Sequence, residues 1–118
     1  MSFTSSIFKD ALAYQGSVVF INNAGSASFN LITMTNGKSR DKGGAIYTDG
    51  TGSASISFSN CATTVSYFLS YSDGGFAYIG NPSTTMSSSN CCYNHLFAVG
   101  NGAFTRGSFS GSFTSSCT

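Results

Sequence analysis

Gly43-Gly44-Ala45-Ile46-Tyr47 is the stretch that decides the fold, because the earlier stretch Gly16-Ser17-Val18-Val19-Phe20 has the same order of residue types. Gly74-Gly75-Phe76-Ala77-Tyr78 begins a third copy, and Gly100-Asn101-Gly102-Ala103-Phe104 begins a fourth. The chain therefore contains four copies of one glycine-led repeat at nearly even spacing. Such spacing is typical of solenoids, in which each repeat buries its apolar side chains against its neighbours.

Composition decides which kind of solenoid the repeat builds. Gly and Ser are too frequent, and good helix formers too scarce, for helical repeats. Alternation with period two, as in Ala54-Ser55-Ile56-Ser57-Phe58, is typical of a β-strand. Bends are predicted at residues that accept positive φ or favour turns, namely Asn22-Asn23, Asp49-Gly50, Asn60 and Gly80-Asn81-Pro82.

These patterns predict an all-β fold, a parallel β-helix (β-solenoid) of about four coils of 26–31 residues. Residues 1–118 are predicted to form a single β-solenoid domain, which is either whole or a segment of a longer solenoid.

Equivalent residues of stacked coils should form ladders along the solenoid axis. The offset that places position 16 on position 43 continues without a gap, so that Gly25-Ser26-Ala27-Ser28-Phe29 falls on Gly52-Ser53-Ala54-Ser55-Ile56. Phe29 is therefore predicted to stack on Ile56. The frame also predicts an aromatic ladder of Phe20, Tyr47, Tyr78 and Phe104, and a sulfur-rich column of Met34, Cys61, Cys91 and Cys117 that Ile7 extends.

The four cysteines fit neither a CxxC pair nor a Cys/His zinc pattern. Neighbours in a column are close enough for a disulfide, but buried free thiols also pack as small hydrophobic groups. We favour free thiols, because the same column accepts Met34 and Ile7. Cys92 points the opposite way from Cys91 in a strand, so it is predicted to be an exposed or intermolecular thiol.

Gly43-Gly44-Ala45-Ile46-Tyr47, followed by Ser57-Phe58-Ser59-Asn60-Cys61, resembles the GGAIY…SxFxNC coils of right-handed parallel β-helix (pectin-lyase-like) repeat proteins. That class includes polymorphic outer-membrane adhesins and many large cell-surface proteins. The resemblance implies an extracellular or cell-surface shaft. It implies no single partner and no single activity.

The charges indicate no catalytic chemistry. Only 8% of the residues are charged, and the acids are Asp10, Asp41, Asp49 and Asp73, which occupy different phases of the repeat. Asp41 and Asp73 fall on adjacent coils near Lys42, where they form either a weak cation or sugar site or, as we favour, solvated turn carboxylates. The sequence therefore predicts no enzyme, and it assigns no catalytic, cofactor-binding or metal-binding residue. His95, the only histidine, is predicted to lie in a loop.

The longest insertion, residues 62–73, is rich in apolar residues and separates the second copy from the third. Three interpretations remain open: core packing, which we favour, a surface for a protein partner, or a glycan site formed by Tyr67 and Tyr71. The apolar residues are Val65, Tyr67, Phe68, Leu69 and Tyr71.

Both ends of such a stack expose unpaired strand edges, which natural proteins usually cap, and no cap is recognisable. Ser2-Phe3-Thr4-Ser5-Ser6 matches Ser112-Phe113-Thr114-Ser115-Ser116, so the chain begins and ends at nearly the same phase. The leading hypothesis is a structural subunit of an extracellular filament or cell-surface appendage, self-assembled by end-to-end stacking.

The alternative hypothesis is an adhesin or carbohydrate-binding β-helix module with a glycan or cell-surface partner. No basic stripe suits nucleic acid, and no apolar run is long enough for a membrane span.

Overall fold

The computed structural model describes residues 1–100, 102, 104–105 and 108–111, and none of these residues is helical. Fourteen short strands follow one another along the described part of the chain. They are β1 (Ser2–Thr4), β2 (Ile7–Lys9), β3 (Leu12–Ala13), β4 (Val19–Asn22), β5 (Gly25–Asn30), β6 (Thr33–Ser39), β7 (Ile46–Asp49), β8 (Ala54–Ser59), β9 (Val65–Ser70), β10 (Ala77–Ile79), β11 (Thr84–Ser89), β12 (Tyr93–Ala98), β13 (Phe104–Thr105) and β14 (Ser108–Gly111).

The strands form three parallel sheets. The first has the order β1-β5-β8-β11-β14, the second β12-β9-β6-β2 with β3 also paired to β6, and the third β13-β10-β7-β4. Apart from β2 and β3, which belong to the same sheet, successive strands of the chain belong to successive sheets, so the chain winds as a parallel β-solenoid of about three turns. The predicted fold class is therefore confirmed. Residues 1–24, 25–53 and 54–83 form the first three coils, and the fourth, from residue 84, is described only in part.

The core is a column of aromatic and aliphatic side chains enclosed by the three sheets. Phe29 and Phe58 stack with their ring centroids 4.9 Å apart, and Phe58 also contacts Phe76 and Tyr93. The Tyr93 hydroxyl shares a 2.8 Å hydrogen bond with the hydroxyl of Ser88. Burial raises the pKa of Tyr93 to about 12, although the Ser88 hydrogen bond acts in the opposite direction.

Glycine forms the corner between the second and third sheets. Gly16, Gly43, Gly74 and Gly102 have φ values of 55°, 69°, 70° and 48°. A Cβ atom on Gly43 would lie 1.9 Å from the carbonyl oxygen of Ile46, so no other residue fits this corner. The glycine that opens the fourth copy is thus Gly102, and its assignment to Gly100 was wrong.

Asparagine forms the corner between the first and second sheets in the third and fourth coils, where Asn60 and Asn90 have φ values of 49° and 58°, while Ser5 and Leu31 take this place in the first two coils. The Asn60 side-chain amide donates to Oδ1 of Asn30 at 3.2 Å, and that of Asn90 donates to Oδ1 of Asn60 at 3.0 Å. This confirms the bend predicted at Asn60. Asn23 and Gly50 also have positive φ, at the corner between the third and first sheets, where bends were predicted.

The constant offset that places position 16 on position 43 predicts the strand pairing correctly in the third sheet and wrongly in the first. Val19 pairs with Ile46, as that offset requires, but Phe29 pairs with Phe58, two positions beyond Ile56. The predicted Phe29–Ile56 stack is therefore wrong. The cause is the corner before the first sheet, which is longer between β7 and β8 than between β4 and β5.

The predicted aromatic ladder is confirmed for three of its four members. Phe20, Tyr47 and Tyr78 pair in register, with ring centroids 5.2 and 5.6 Å apart. These side chains lie on the outer face of the third sheet, since the residues beside them point into the core. Phe104 pairs with Ala77 instead, so its place in the ladder was wrong.

The predicted sulfur-rich column does not exist as proposed. Met34 lies within β6 and pairs with Phe8, while Ile7 pairs with Thr33. Cys61 lies outside the strands, in the corner between β8 and β9. Of the predicted column, only Cys61 and Cys91 are neighbours, and Cys117 lies outside the described residues.

Cys61 and Cys91 form a disulfide with a Cα–Cα distance of 4.9 Å. The preference for packed free thiols was therefore wrong, and the alternative is correct. Cys92 is disulfide-bonded within the chain as well, so the prediction that it is an exposed or intermolecular thiol was also wrong.

The matched ends of the sequence are slightly out of structural phase. The column that begins at Phe3 continues through Phe29, Phe58 and Ser88 to Gly111. The residue of the last coil that shares a column with Phe3 is thus Gly111. The sequence match had instead aligned Phe3 with Phe113. Residues 112–116 lie outside the described part of the chain.

Candidate interaction surface

The strands of the second sheet share a kink at one position. Asp10, Asn36, Tyr67 and His95 have φ values between 51° and 62°, and the pairing of the residues around them places all four in one column. Asp, Asn and His accept this conformation readily, whereas it is uncommon for tyrosine. The kink interrupts the in–out alternation, so two consecutive side chains face solvent in the first and fourth coils.

A groove runs along the kink on the outer face of the second sheet. One wall is the kink column, and the other is the column in which Leu12, Lys38, Leu69 and Phe97 pair in register. The groove consists of two adjoining recesses of about 390 and 240 Å³ that share Asn36 and Lys38. We call it the kink groove. Its walls are Asp10, Leu12, Asn36, Lys38, Tyr67, Leu69, His95 and Phe97.

Contacts between coils hold the walls of the kink groove in place. The Tyr67 ring stacks on the His95 imidazole, with centroids 4.6 Å apart and planes 9° from parallel. The Asn36 side-chain amide donates a hydrogen bond to a carboxylate oxygen of Asp10. Both pairs connect adjacent coils, so the wall is formed before any ligand arrives.

The outer face of the second sheet carries most of the exposed apolar surface of the described chain. Seven of the ten large apolar side chains that are exposed within residues 1–100 lie on this face. They are Ile7, Leu12, Tyr14, Tyr67, Tyr71, Phe97 and Val99. Apolar patches of this kind on a protein surface usually mark sites of interaction.

Among the described residues of this face, charge is confined to the first two coils. Lys9 and Asp10 belong to the first coil, and Lys38 and Arg40 to the second. In the third and fourth coils the corresponding columns hold Tyr67, Leu69, Tyr71, His95, Phe97 and Val99. The face is therefore polar and mainly basic at one end, and aromatic and aliphatic at the other.

The structure decides between the interpretations of residues 62–73. They do not protrude, because Val65–Ser70 is strand β9 of the second sheet, with Val65 and Phe68 fully buried. Core packing is confirmed for these two residues, while Tyr67 and Tyr71 are exposed. His95 belongs to β12, so the prediction that it lies in a loop was wrong.

Sequence reasoning did not find Leu12 and Phe97 as members of this surface. The repeat frame was anchored on the glycines and cysteines, which lie at the corners, and its two positions in the second sheet, Ile7 and Met34, were assigned to the wrong column. The only signal available was the presence of apolar residues at positions that alternate with buried ones.

A second outer feature is the aromatic ladder of the third sheet. The Lys42 ammonium lies over the Tyr78 ring, 4.6 Å from its centroid, in cation–π geometry. The pKa of Tyr47 is raised, first by burial of its hydroxyl and then by the negative charge and hydrogen bond of Asp49. Phe20 ends the ladder in the first coil and is half exposed.

The predicted grouping of Asp41, Asp73 and Lys42 is only partly realised. Asp41 and Asp73 lie on adjacent coils at the glycine corner. However, the Asp41 carboxylate accepts a 2.7 Å hydrogen bond from the amide of Gln15, and Lys42 faces Tyr78. Among the described residues, no group of three His, Cys, Asp or Glu side chains has metal-binding geometry.

Comparison with known proteins adds no relative. No protein-family model, curated protein or solved structure matches this chain. The fold is thus shown as a parallel β-solenoid of three parallel sheets, and the finer resemblance to pectin-lyase-like repeat proteins stays a prediction. The part of the chain that the structure describes contains no helix capable of crossing a bilayer.

Proposed function

We propose that this chain is a structural subunit of an extracellular filament or cell-surface appendage, built by end-to-end stacking of β-solenoid coils. The observation that carries the proposal is the open core at the first coil. Phe3 and Phe8 are only partly buried there, although both rings pack against Phe29, whose centroid lies 5.1 and 5.5 Å from theirs. Phe29, one coil further in, is 1% exposed. A second copy placed on the first coil would bury Phe3 and Phe8 to a similar degree.

The strand edges support the same arrangement. β1, β2 and β4 are edge strands at one end of the three sheets, and β14, β12 and β13 are edge strands at the other. All pairs are parallel, so the first coil of one copy continues the ladders of another copy's last coil without a change of direction. Such a contact is heterologous and does not close, and it therefore propagates a fibre.

The disulfide supports an extracellular location. Cys61–Cys91 joins neighbouring coils, and disulfides persist mainly in oxidising compartments. A filament outside the cell also requires resistance to unfolding, to which such a crosslink contributes.

Proline at the open edge tests the proposal. The N–H groups of Val19 and Asn23 donate to backbone carbonyls of the second coil, at the start and the end of the β7 region, and the N–H group of Ser5 donates to the carbonyl of Asn30. All three therefore point inward, towards the second coil. Because N–H groups alternate along a parallel strand, those of Asn22 and Thr4 point to the open edge. Proline at these two positions removes outward donors and leaves the internal ladder intact.

We expect the wild-type chain to form long fibres of uniform width in negative-stain electron microscopy as its concentration rises. The double variant Thr4→Pro/Asn22→Pro should fold with an unchanged circular dichroism spectrum and form no fibres. The matched control Thr4→Ala/Asn22→Ala keeps both N–H groups and should form fibres. Compact particles at every wild-type concentration, or fibres from the proline variant, would contradict the proposal.

The second candidate is an adhesin or carbohydrate-binding module. It is favoured by one observation, the exposure of Tyr67 and Tyr71 beside the kink groove. Replacement of residues 62–73 as a block is not a usable test, because β9 is part of the core. Instead, Tyr67→Ala and Tyr71→Ala should abolish binding in a glycan-array assay and leave fibres intact. Equal glycan binding by wild type and variants would remove this candidate.

A further inference from the structure

The outer face of the second sheet is complementary to itself under one particular two-fold rotation. An axis that lies in the plane of this face, parallel to its strands and between the second and third coils, places two copies face to face and antiparallel. It brings the first coil of one copy opposite the fourth of the other, and the second opposite the third. Each column of side chains then meets the same column of the partner, in reverse order.

The residues that meet in this arrangement suit one another chemically. Register along the sheet defines the columns, so the facing residues follow from the pairing within one chain. Arg40 and Tyr71 each lie one residue beyond the paired Ser39 and Ser70, and so share a column. The facing pairs include Asp10 with His95, Arg40 with Tyr71, and Leu12 with Phe97. Lys38 lies opposite Leu69, on which its methylene stem can pack while its ammonium group stays in water.

Each facing pair occurs twice in the dimer. Asp10 offers a carboxylate to an imidazole N–H of His95, and the Arg40 guanidinium meets the ring of Tyr71 in a cation–π contact. Leu12 and Phe97, which are 65% and 64% exposed, bury apolar surface against each other. The charged half of the face thus meets the aromatic half of the partner.

We infer that the outer face of the second sheet is the interface of an antiparallel two-fold dimer of this chain. A large side chain that is more than half exposed offers on the order of 100 Å², so the seven apolar side chains and their charged neighbours approach roughly the 800 Å² per partner of a standard interface. The inference does not depend on end-to-end stacking, which uses the edges of the sheets and not this face.

Two other occupants of the face are less favoured. A parallel two-fold pair would keep each coil opposite its own copy, so that the charged coils of one chain, with Lys9, Lys38 and Arg40, would lie against the charged coils of the partner. A glycan would use Tyr67 and Tyr71 but would leave the apolar Leu12, Phe97 and Val99 in water. The antiparallel pair is the arrangement that accounts for both halves of the face.

A residue exchange between the first and fourth coils tests the dimer. Asp10 and His95 both have positive φ, and both Asp and His tolerate that conformation, so each accepts the other's residue. Asp10→His places two imidazoles opposite each other, and His95→Asp places two carboxylates opposite each other. Each single variant therefore loses both cross-chain pairs.

A mixture of the two single variants should restore these pairs. In the mixed dimer, His at position 10 of one copy faces Asp at position 95 of the other, and the wild-type residues face each other at the second site. The doubly exchanged chain, Asp10→His/His95→Asp, should also dimerise. Suppose instead that the two residues act only within their own chain, through the Asn36–Asp10 hydrogen bond and the Tyr67–His95 stack. The exchanged chains would still lack these contacts, so neither the mixture nor the double exchange would restore dimerisation.

The measurement is the molar mass by analytical ultracentrifugation from roughly 1 to 100 µM, with every chain carrying Thr4→Pro/Asn22→Pro, which prevents axial stacking. We expect dimers of this background chain, a dissociation constant at least about tenfold higher when Asp10→His or His95→Asp is added, and recovery to within about threefold in the mixture. Circular dichroism melting checks that the variants are folded. A monomeric background chain at all concentrations, with or without glycan binding, or a mixture no better than its components, would overturn the inference.

Discussion

Removal of the Cys61–Cys91 crosslink tests how much this solenoid depends on constraint of its unfolded chain. The two residues are 30 positions apart and join the third and fourth coils. In the chain-entropy account, closing a loop of this length stabilises the folded state by about 3.5 kcal/mol. The expected stability of a domain of 118 residues is on the order of 6 to 18 kcal/mol. One crosslink therefore represents a substantial part of the total.

The variant of choice is Cys61→Ala/Cys91→Ala, because a single replacement leaves a thiol beside the disulfide-bonded Cys92 and invites exchange. We expect its free energy of unfolding to fall by about 3 to 4 kcal/mol and its melting temperature to fall by roughly 14 °C. Denaturant titration followed by circular dichroism measures the free energy. The dependence of that free energy on denaturant should become steeper, because the unfolded chain expands when the crosslink is removed.

A loss below about 1 kcal/mol with an unchanged denaturant dependence would refute this reasoning. It would mean that the unfolded chain already keeps the third and fourth coils close together. Ser87→Ala, on the partly exposed side of β11 in the same coil, serves as the matched control and should change the stability by less than about 0.5 kcal/mol.

Three further predictions concern the core, the glycine corner and the buried tyrosine. Phe58→Ala should destabilise the chain by about 3 to 5 kcal/mol in denaturant titration, and Phe3→Ala by clearly less, because Phe3 is only partly buried; equal losses would contradict the open end of the core. Gly43→Ala should lower the free energy of unfolding by about 2 kcal/mol or more, because Gly43 has a φ of 69° and a carbonyl oxygen would lie 1.9 Å from the new Cβ. Gly25→Ala is the control, because the nearest atom to its new Cβ is a side-chain methyl at 3.3 Å, and its melting temperature should be nearly unchanged. Tyr93 ionises near pH 10 in the unfolded chain but has a pKa of about 12 in the folded chain, so the free energy of unfolding should fall by about 2 to 3 kcal/mol as the pH rises from 10 towards 12. Below pH 10 the contribution of the neutral Tyr93 to stability is intact. Tyr93→Phe should abolish this part of the loss of stability, and an unchanged loss in that variant would show that other groups cause it.

Local sequence predicted those features of the fold that depend on single residues. Positive φ at Gly43, Gly74 and Asn60 follows from residue type, and the structure places all three at corners. The alternation in residues 54–58 predicted β8, and the repeat of glycine-led copies predicted the parallel stack. These signals are local, because each reflects the conformation or the burial of one residue.

Register was not available from the sequence alone. A corner lengthened by an even number of residues leaves the in–out alternation unchanged, so Phe29 on Ile56 and Phe29 on Phe58 are equally consistent with the pattern. Only packing of complete coils selects between them, because it stacks Phe29 on Phe58 and brings Cys61 next to Cys91.

The candidate interaction surface was also decided by tertiary structure. Asp10, Asn36, Tyr67 and His95 share a backbone conformation but no side-chain chemistry, so no motif relates them. Their alignment in one column follows from corner lengths that differ from coil to coil. The sequence by itself determined that the chain stacks parallel coils, since residue types at single positions control local conformation and burial. The structure alone decided which side chains become neighbours across coils, because that depends on the summed length of every corner between them.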